Sequence, residues 1–340
     1  MESDIFRLAN PIARGLHNHM NQSVNENALK LVEKGLDDRE KLRIIVETGA
    51  LGCTIIDTGI KTAGGYSAGK WVVEISLGGY GSASLSMMQY GELLLPSIFI
   101  ETGYPAIATL GSQLAGWSIR TDDYSAMGSG PARALSKKPR ELYTMIEYAD
   151  HCESAVIVLE ADSVPTEKAI RTIATDCQVS PKNLYVIMAP TSSIVGSVQI
   201  SGRIVETGIH RLGQVGLDPK LISFGCGSAP IAPVHAETTE AIGRTNDALY
   251  YGGVAFYTVA CNSDNQLRLL VSKSSSRASD EYGRPFHEIL KAAGFDFYRI
   301  DPRIFAPSVI MVTNSKTGTT FKAGEINVPI LKKTMGVVNV

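Results

Sequence analysis

The order strand, helix, strand, helix between Ala155 and Leu212 constrains this chain more than any other feature. Ala155–Leu159 is a short apolar, β-branched run, and Leu184–Ala189 is a second one. Between them, Thr166–Cys177 places Ala169, Ile170, Ile173 and Cys177 on one helical face, and a further helix begins at about Ser193. Two buried strands joined by a helix predict a βαβ unit with a parallel pair, so the fold class is α/β. Outside that unit, Asn27–Gly35 has helical spacing. Cys53–Asp57, Trp71–Ser76 and Leu93–Ile100 read as short strands separated by glycine turns. Tyr257–Leu270 and Val309–Val312 return to strand texture, with a hairpin turn at Lys316-Thr-Gly318. At 340 residues the chain exceeds one hydrophobic core. A two-domain subunit with mixed sheets and a ligand cleft between the domains is expected, divided into 1–125 with 300–340 and 126–299.

Charge removes whole classes of partner. With 32 basic against 34 acidic residues, the net charge of −2 offers no field for nucleic acid or anionic lipid. No apolar run reaches the roughly 18–20 residues that span a bilayer. Residues Met1–Asn10 lack the apolar stretch of a secretory signal, so a cytoplasmic location is expected. The cysteines (Cys53, Cys152, Cys177, Cys226, Cys261) are odd in number and lack Cys-x-x-Cys spacing, which favours buried thiols over a zinc site. His17 and His19 lie in a polar leader with no third metal ligand nearby. A charged fraction of only 19%, with 32 glycines, leans toward buried subunit interfaces.

The segment Ile194–Leu212, read as one helix, carries two faces. Ile194, Val198, Val205, Ile209 and Leu212 share one stripe, while Gln199, Arg203, Glu206 and His210 share another. Gly196, Gly202 and Gly208 notch it where another backbone or a flat ligand must approach closely. Spacing leaves two readings of Arg203 and Glu206 open. One is a solvated i,i+3 ion pair worth about 0.2–0.5 kcal/mol. The other is a general base beside a cation that also orients water. The Pro190-Thr-Ser-Ser193 cap offers hydroxyls and free N–H groups, either for ordinary capping or for an anion. Ala126–Arg133 is a small-residue turn ending in a cation, and Gly243–Asp247 a compact polar turn holding Arg244 and Asn246.

These segments, in this order, resemble the methenyltetrahydromethanopterin cyclohydrolases. The likeness runs through Ala189–Gly208, Asp123–Ala134, Ala229–Pro233, Ala241–Asp247, Asp296–Pro302 and Thr320–Asn327, and covers the chain from Ser23 onward. The resemblance implies reversible hydrolysis of 5,10-methenyltetrahydromethanopterin to the 5-formyl compound in one-carbon metabolism, without cofactor, metal or nucleotide. It implies a homotrimer of two-domain subunits with the pterin between the domains. The family's catalytic arginine and glutamate fall on Arg203 and Glu206. Gln199, Ser193, Arg133, Arg244 and Asn246 become candidates for binding the substrate, whose tail carries a phosphate and a carboxylate. One position departs from the family: Leu114 stands in Gln113-Leu-Ala-Gly-Trp117 where a lysine is usual, so a residue such as Lys70 would have to substitute.

Overall fold

The computed structural model describes residues 23–338, so the leader with His17 and His19 lies outside the described residues. Twelve strands among those residues form two mixed six-stranded sheets. The first sheet has the order β1 (Ile45–Thr48), β2 (Thr54–Asp57), β8 (Leu184–Met188), β7 (Ala155–Glu160), β6 (Ser125–Ser129), β5 (Trp117–Arg120). The second has the order β12 (Thr320–Gly324), β11 (Val309–Asn314), β10 (Val254–Val259), β9 (Ile222–Pro230), β4 (Leu93–Thr102), β3 (Gly81–Tyr90). Each sheet takes strands from both expected segments, 1–125 with 300–340 and 126–299.

The predicted βαβ unit is present. β7 and β8 pair in parallel, with Val156 opposite Tyr185 and Val158 opposite Ile187, and β2 extends the parallel set beside β8. Helix α3 (Glu167–Cys177) connects β7 to β8, capped by the Thr166 hydroxyl on the Ala169 N–H at 3.3 Å. Strand alternation explains how this sheet is buried on both faces. Ala155, Ile157 and Leu159 pack with Ile170 and Ile173 of α3. Val156 and Val158 point the other way, against Ala28 and Val32 of α1 (Val24–Asp37) and Val72 and Ile75 of α2 (Tyr66–Ser76).

Three expected elements differ in the structure. Trp71–Ser76 is helical: Ala68, Trp71, Val72, Val73 and Ile75 of α2 are all in the core, and Ser67, Lys70 and Glu74 form its narrow polar stripe. Tyr257–Leu270 splits: β10 ends at Val259, and Ser263 caps α7 (Asp264–Ser272) through the Gln266 N–H at 3.2 Å. The segment 194–212 is two helices, α4 (Ile194–Ser201) and α5 (Ile204–Gln214), separated at Gly202 and Arg203.

That break positions the site. α4 packs on α2 in the helix layer of the first sheet, whereas α5 packs on β9 and β10 of the second. Val205, Ile209 and Leu212 join Ala255, Tyr257 and Val259 in one core. Arg203 therefore lies where the chain passes from one sheet's helical cover to the other's.

Candidate active site

Arg203 is the non-helical cap of α5 (φ −84°, ψ 4°), and Glu206 sits in the first turn of the same helix. They are only 8% and 6% exposed, which removes the reading of a solvated surface pair. Three segments grip the guanidinium. Nη1 donates to the Gln113 carbonyl at 2.6 Å, Nη2 to the Ser129 hydroxyl at 3.0 Å, and Nη2 and Nε to Gln199 Oε1 at 2.9 and 3.2 Å. Glu206 Oε2 stands 3.8 Å from Nη1. The carboxylate is thus within the field of a cation that its neighbours hold in place.

Burial dominates the proton affinity of both groups. It pushes the Glu206 carboxyl above the usual glutamate range, against the pull of Arg203, His210 and Arg133. It lowers the Arg203 guanidinium, against the charges of Glu206 and Glu160. Tyr250 and Tyr257 are pushed well above the ordinary phenol range by burial, with the Glu206 charge adding to it. A carboxyl held between desolvation and cations can both take and return a proton.

The location follows a general rule of open α/β sheets, in which ligand chemistry gathers beyond the carboxyl ends of parallel strands. Asp57 ends β2, Glu160 ends β7, and Thr191 follows β8 and donates its hydroxyl to Glu160. Asp57 organises the next loop by accepting the N–H groups of Gly59, Ile60 and Lys61 at 2.7–2.9 Å.

The candidates divide. Gln199, Arg203 and Glu206 come together, and Arg133 is close enough for its charge to act on Glu206. Arg133, however, is fully buried in the short helix Ala132–Ser136 rather than at an open turn. It donates to the carbonyls of Lys138, Leu110 and Ser112 at 2.9, 3.1 and 3.1 Å and lies over the Tyr143 ring. Ser193 turns its hydroxyl to its own helix: it accepts the Gly196 N–H at 3.0 Å and donates to the Pro190 carbonyl at 2.7 Å. Arg244 and Asn246 belong to the end of α6 (Thr238–Asp247), not to a turn. Asn246 accepts the Tyr250 hydroxyl at 2.7 Å, which links it to the cluster at one remove. Arg244 is half-buried, near Gly336.

The glycine notches serve close packing within the protein. A Cβ on Gly202 would meet Val73 at 2.5 Å, and one on Gly208 would meet the Tyr257 hydroxyl at 2.2 Å. Leu114 is half-buried directly after Gln113, and the ammonium of Lys70 is paired with Glu74 at 2.7 Å. Gln113, Ser129, Glu160, Tyr250 and Tyr257 were not among the sequence candidates. Gln113 had a signal as the neighbour of the departure at Leu114, and Ser129 as a member of the small-residue turn Ala126–Arg133.

A family model described as Cyclohydrolase (MCH) matches residues 23–335. The chain is 43% identical to a methenyltetrahydromethanopterin cyclohydrolase of Methanococcoides burtonii, over 94% of this chain and 99% of the relative. It is 41% identical to a protein of the same name from Methanocaldococcus jannaschii, over 92% and 98% of the two chains. A third relative of that name, from Methanothermobacter marburgensis, is 42% identical over 93% and 99%.

Proposed function

We propose, from the premise that this chain belongs to the cyclohydrolase (MCH) family, that Arg203 and Glu206 carry the reaction of that family. The protein is a cyclohydrolase, a hydrolase acting on a cyclic amidine, and its reaction is the reversible hydrolysis of 5,10-methenyltetrahydromethanopterin to the 5-formyl compound. The observation that carries the residue assignment is the buried Glu206 carboxylate 3.8 Å from a guanidinium fixed by three other segments.

The methenyl carbon lies between two nitrogens in a cation and is already electrophilic, so its hydration does not require a Lewis acid or a cofactor. Water adds to that carbon while Glu206 takes one of its protons, giving a neutral hydroxyl adduct. The bond from the carbon to one nitrogen then breaks, and protonated Glu206 delivers its proton to that nitrogen. The remaining hydroxyl proton is released as the formyl C=O forms, so one water is consumed and one proton leaves. Arg203 orients the carboxylate and the water. It also keeps Glu206 from pairing too tightly with the cationic substrate.

Gln199, beside the guanidinium, is assigned to the substrate's reactive end. Arg244 and Asn246 are assigned to positioning the rest of it, whereas Arg133, fully buried on protein carbonyls, acts through its charge on Glu206, and Ser193 acts through its cap of α4. The two lobes follow the two sheets, with the cleft opening at the α4–α5 break. The apolar side chains that β3 and β4 leave exposed (Leu85, Met87, Met88, Leu94 and Phe99) support an interface between copies of the chain, for which a homotrimer is the proposed form. No helix among the described residues is long and apolar enough to cross a membrane, and a cytoplasmic location is assigned with the substrate.

Mixing the protein with the methenyl derivatives of tetrahydromethanopterin and of tetrahydrofolate tests this reading. Loss of the methenyl chromophore with the first, far faster than with the second, is expected. Binding without loss of the chromophore would make the protein a carrier.

A further inference from the structure

Resting on the roles of Arg203 and Glu206 above, we propose that Gln113 is a positioning residue that holds the Gly202–Arg203 break and so keeps the Arg203 guanidinium beside Glu206. Gln113 is fully buried at the end of a π-helical turn, Ala106–Gln113. π-Turns are rare, and they reset the direction of a side chain relative to an ordinary helix. Here the turn lets one residue contact two consecutive positions of the break. The Gln113 side-chain Nε2 donates to the Gly202 carbonyl at 3.1 Å, while its main-chain carbonyl accepts Arg203 Nη1 at 2.6 Å.

The turn is itself anchored. Gln113 Nε2 also reaches the Ser76 hydroxyl at 3.3 Å, and the Ser112 hydroxyl donates to the Ser76 carbonyl at 2.6 Å, at the last residue of α2. A helix break presents a carbonyl that needs a donor, and a buried carbonyl without one is penalised. Gln113 supplies that donor from a rigid segment. Its Oε1 makes no hydrogen bond within the described residues, although it is buried. The residue is therefore not a fully satisfied core amide. It is held by its donor side, on the side of the break.

The functional consequence runs through Glu206. Its carboxyl faces Arg203 and His210 on α5, Arg133 on the helix Ala132–Ser136, and the phenols Tyr250 and Tyr257. Of the cations, Arg203 opposes the effect of burial most. If the break relaxes and the guanidinium drifts, burial remains while its main counterweight weakens, so Glu206 holds its proton to higher pH.

Gln113→Met keeps the length of the side chain and removes both donors; Gln113→Asn keeps the amide but withdraws it. For each, kcat/KM is measured against pH with the methenyl substrate, alongside Arg203→Met and Ser76→Ala. The acid limb of both Gln113 variants is expected to move up by about one unit, a tenfold loss on the acid side that recovers at higher pH. KM should change little. Ser76→Ala, which leaves the Gly202 contact, should not move the limb. A merely structural role would lower the melting temperature without moving the limb, and that result would overturn the proposal. If Arg203→Met moves the limb or abolishes turnover while the folded Gln113 variant does neither, the positioning role fails alone. If Arg203→Met leaves both rate and limb unchanged, the reading of the Arg203–Glu206 pair fails with it.

Discussion

Glu206 and Asp247 are both carboxyls buried beside helix ends in the same core, yet their surroundings differ. Asp247 is inaccessible to solvent, accepts the Phe286 N–H at 2.9 Å through one oxygen, and has no partner among the described residues for the other. Burial pushes it well above the ordinary carboxylate range, Glu240 and Glu288 add negative charge around it, and Lys333 opposes them. Glu206 suffers the same desolvation but has Arg203, His210 and Arg133 against it. The contrast shows how one force gives two roles. Desolvation reinforced by neighbouring carboxylates holds a proton on a structural acid to higher pH, whereas desolvation opposed by several cations leaves a group that can exchange a proton during reaction.

The contrast is sharpest in activity. Glu206→Gln should lower methenyl hydrolysis by about 10²- to 10⁴-fold, the usual worth of a positioned base. Asp247→Asn, in the same chromophore assay, should stay within about twofold, because Asp247 makes no hydrogen bond or ion pair with Arg203 or Glu206 among the described residues and the amide keeps an acceptor for the Phe286 N–H. Arg203→Met should cost about 10²- to 10³-fold in kcat, as for loss of one preorganised electrostatic partner. Lys333→Met, which removes the cation facing Asp247, should leave turnover unaltered.

Two smaller effects concern stability. Gly208→Ala drives a Cβ against the Tyr257 hydroxyl, which donates to the Val205 carbonyl at 2.6 Å one residue before Glu206. Overpacking of this kind costs about 1–3 kcal/mol, measurable as a lowered urea midpoint. The smallest effect is the pH dependence at Asp247. A carboxyl raised in the folded state contributes stability that is complete below its unfolded value of about 4 and is lost as pH rises through the folded value. The melting temperature of the native chain should therefore decline through that range, and Asp247→Asn should flatten the decline. An unchanged slope would mean that Asp247 ionises without penalty.

Legibility in the sequence followed local pattern. The strands Ala155–Glu160 and Leu184–Met188 and the helix between them were readable because a short continuous apolar, β-branched run marks a strand buried on both faces and helical spacing marks one buried face. α2 was not, since its polar stripe is narrow, at Ser67, Lys70 and Glu74, and the Trp71-Val-Val run beside it imitates a strand. The break at Gly202–Arg203 was marked only by a glycine that a continuous helix would also tolerate. The stripe of Gln199, Arg203 and Glu206 was readable because it is local. The groups that fix it, Gln113 and Ser129, arrive from 90 and 74 residues away, one of them through a main-chain carbonyl that no side-chain pattern records. Arg133 and Ser193 were readable as polar groups near turns. Their engagement with carbonyls of their own surroundings depends on packing.

Glu206, held between burial and Arg203, is the group whose protonation limits the reaction at acid pH. Infrared difference titration of the native chain against Glu206→Gln measures this directly through the carboxylic C=O band. That band should disappear above the ordinary glutamate value of about 4.3, in step with the rise of kcat/KM. A band that titrates in the ordinary range, or that disappears out of step with activity, would contradict the assignment.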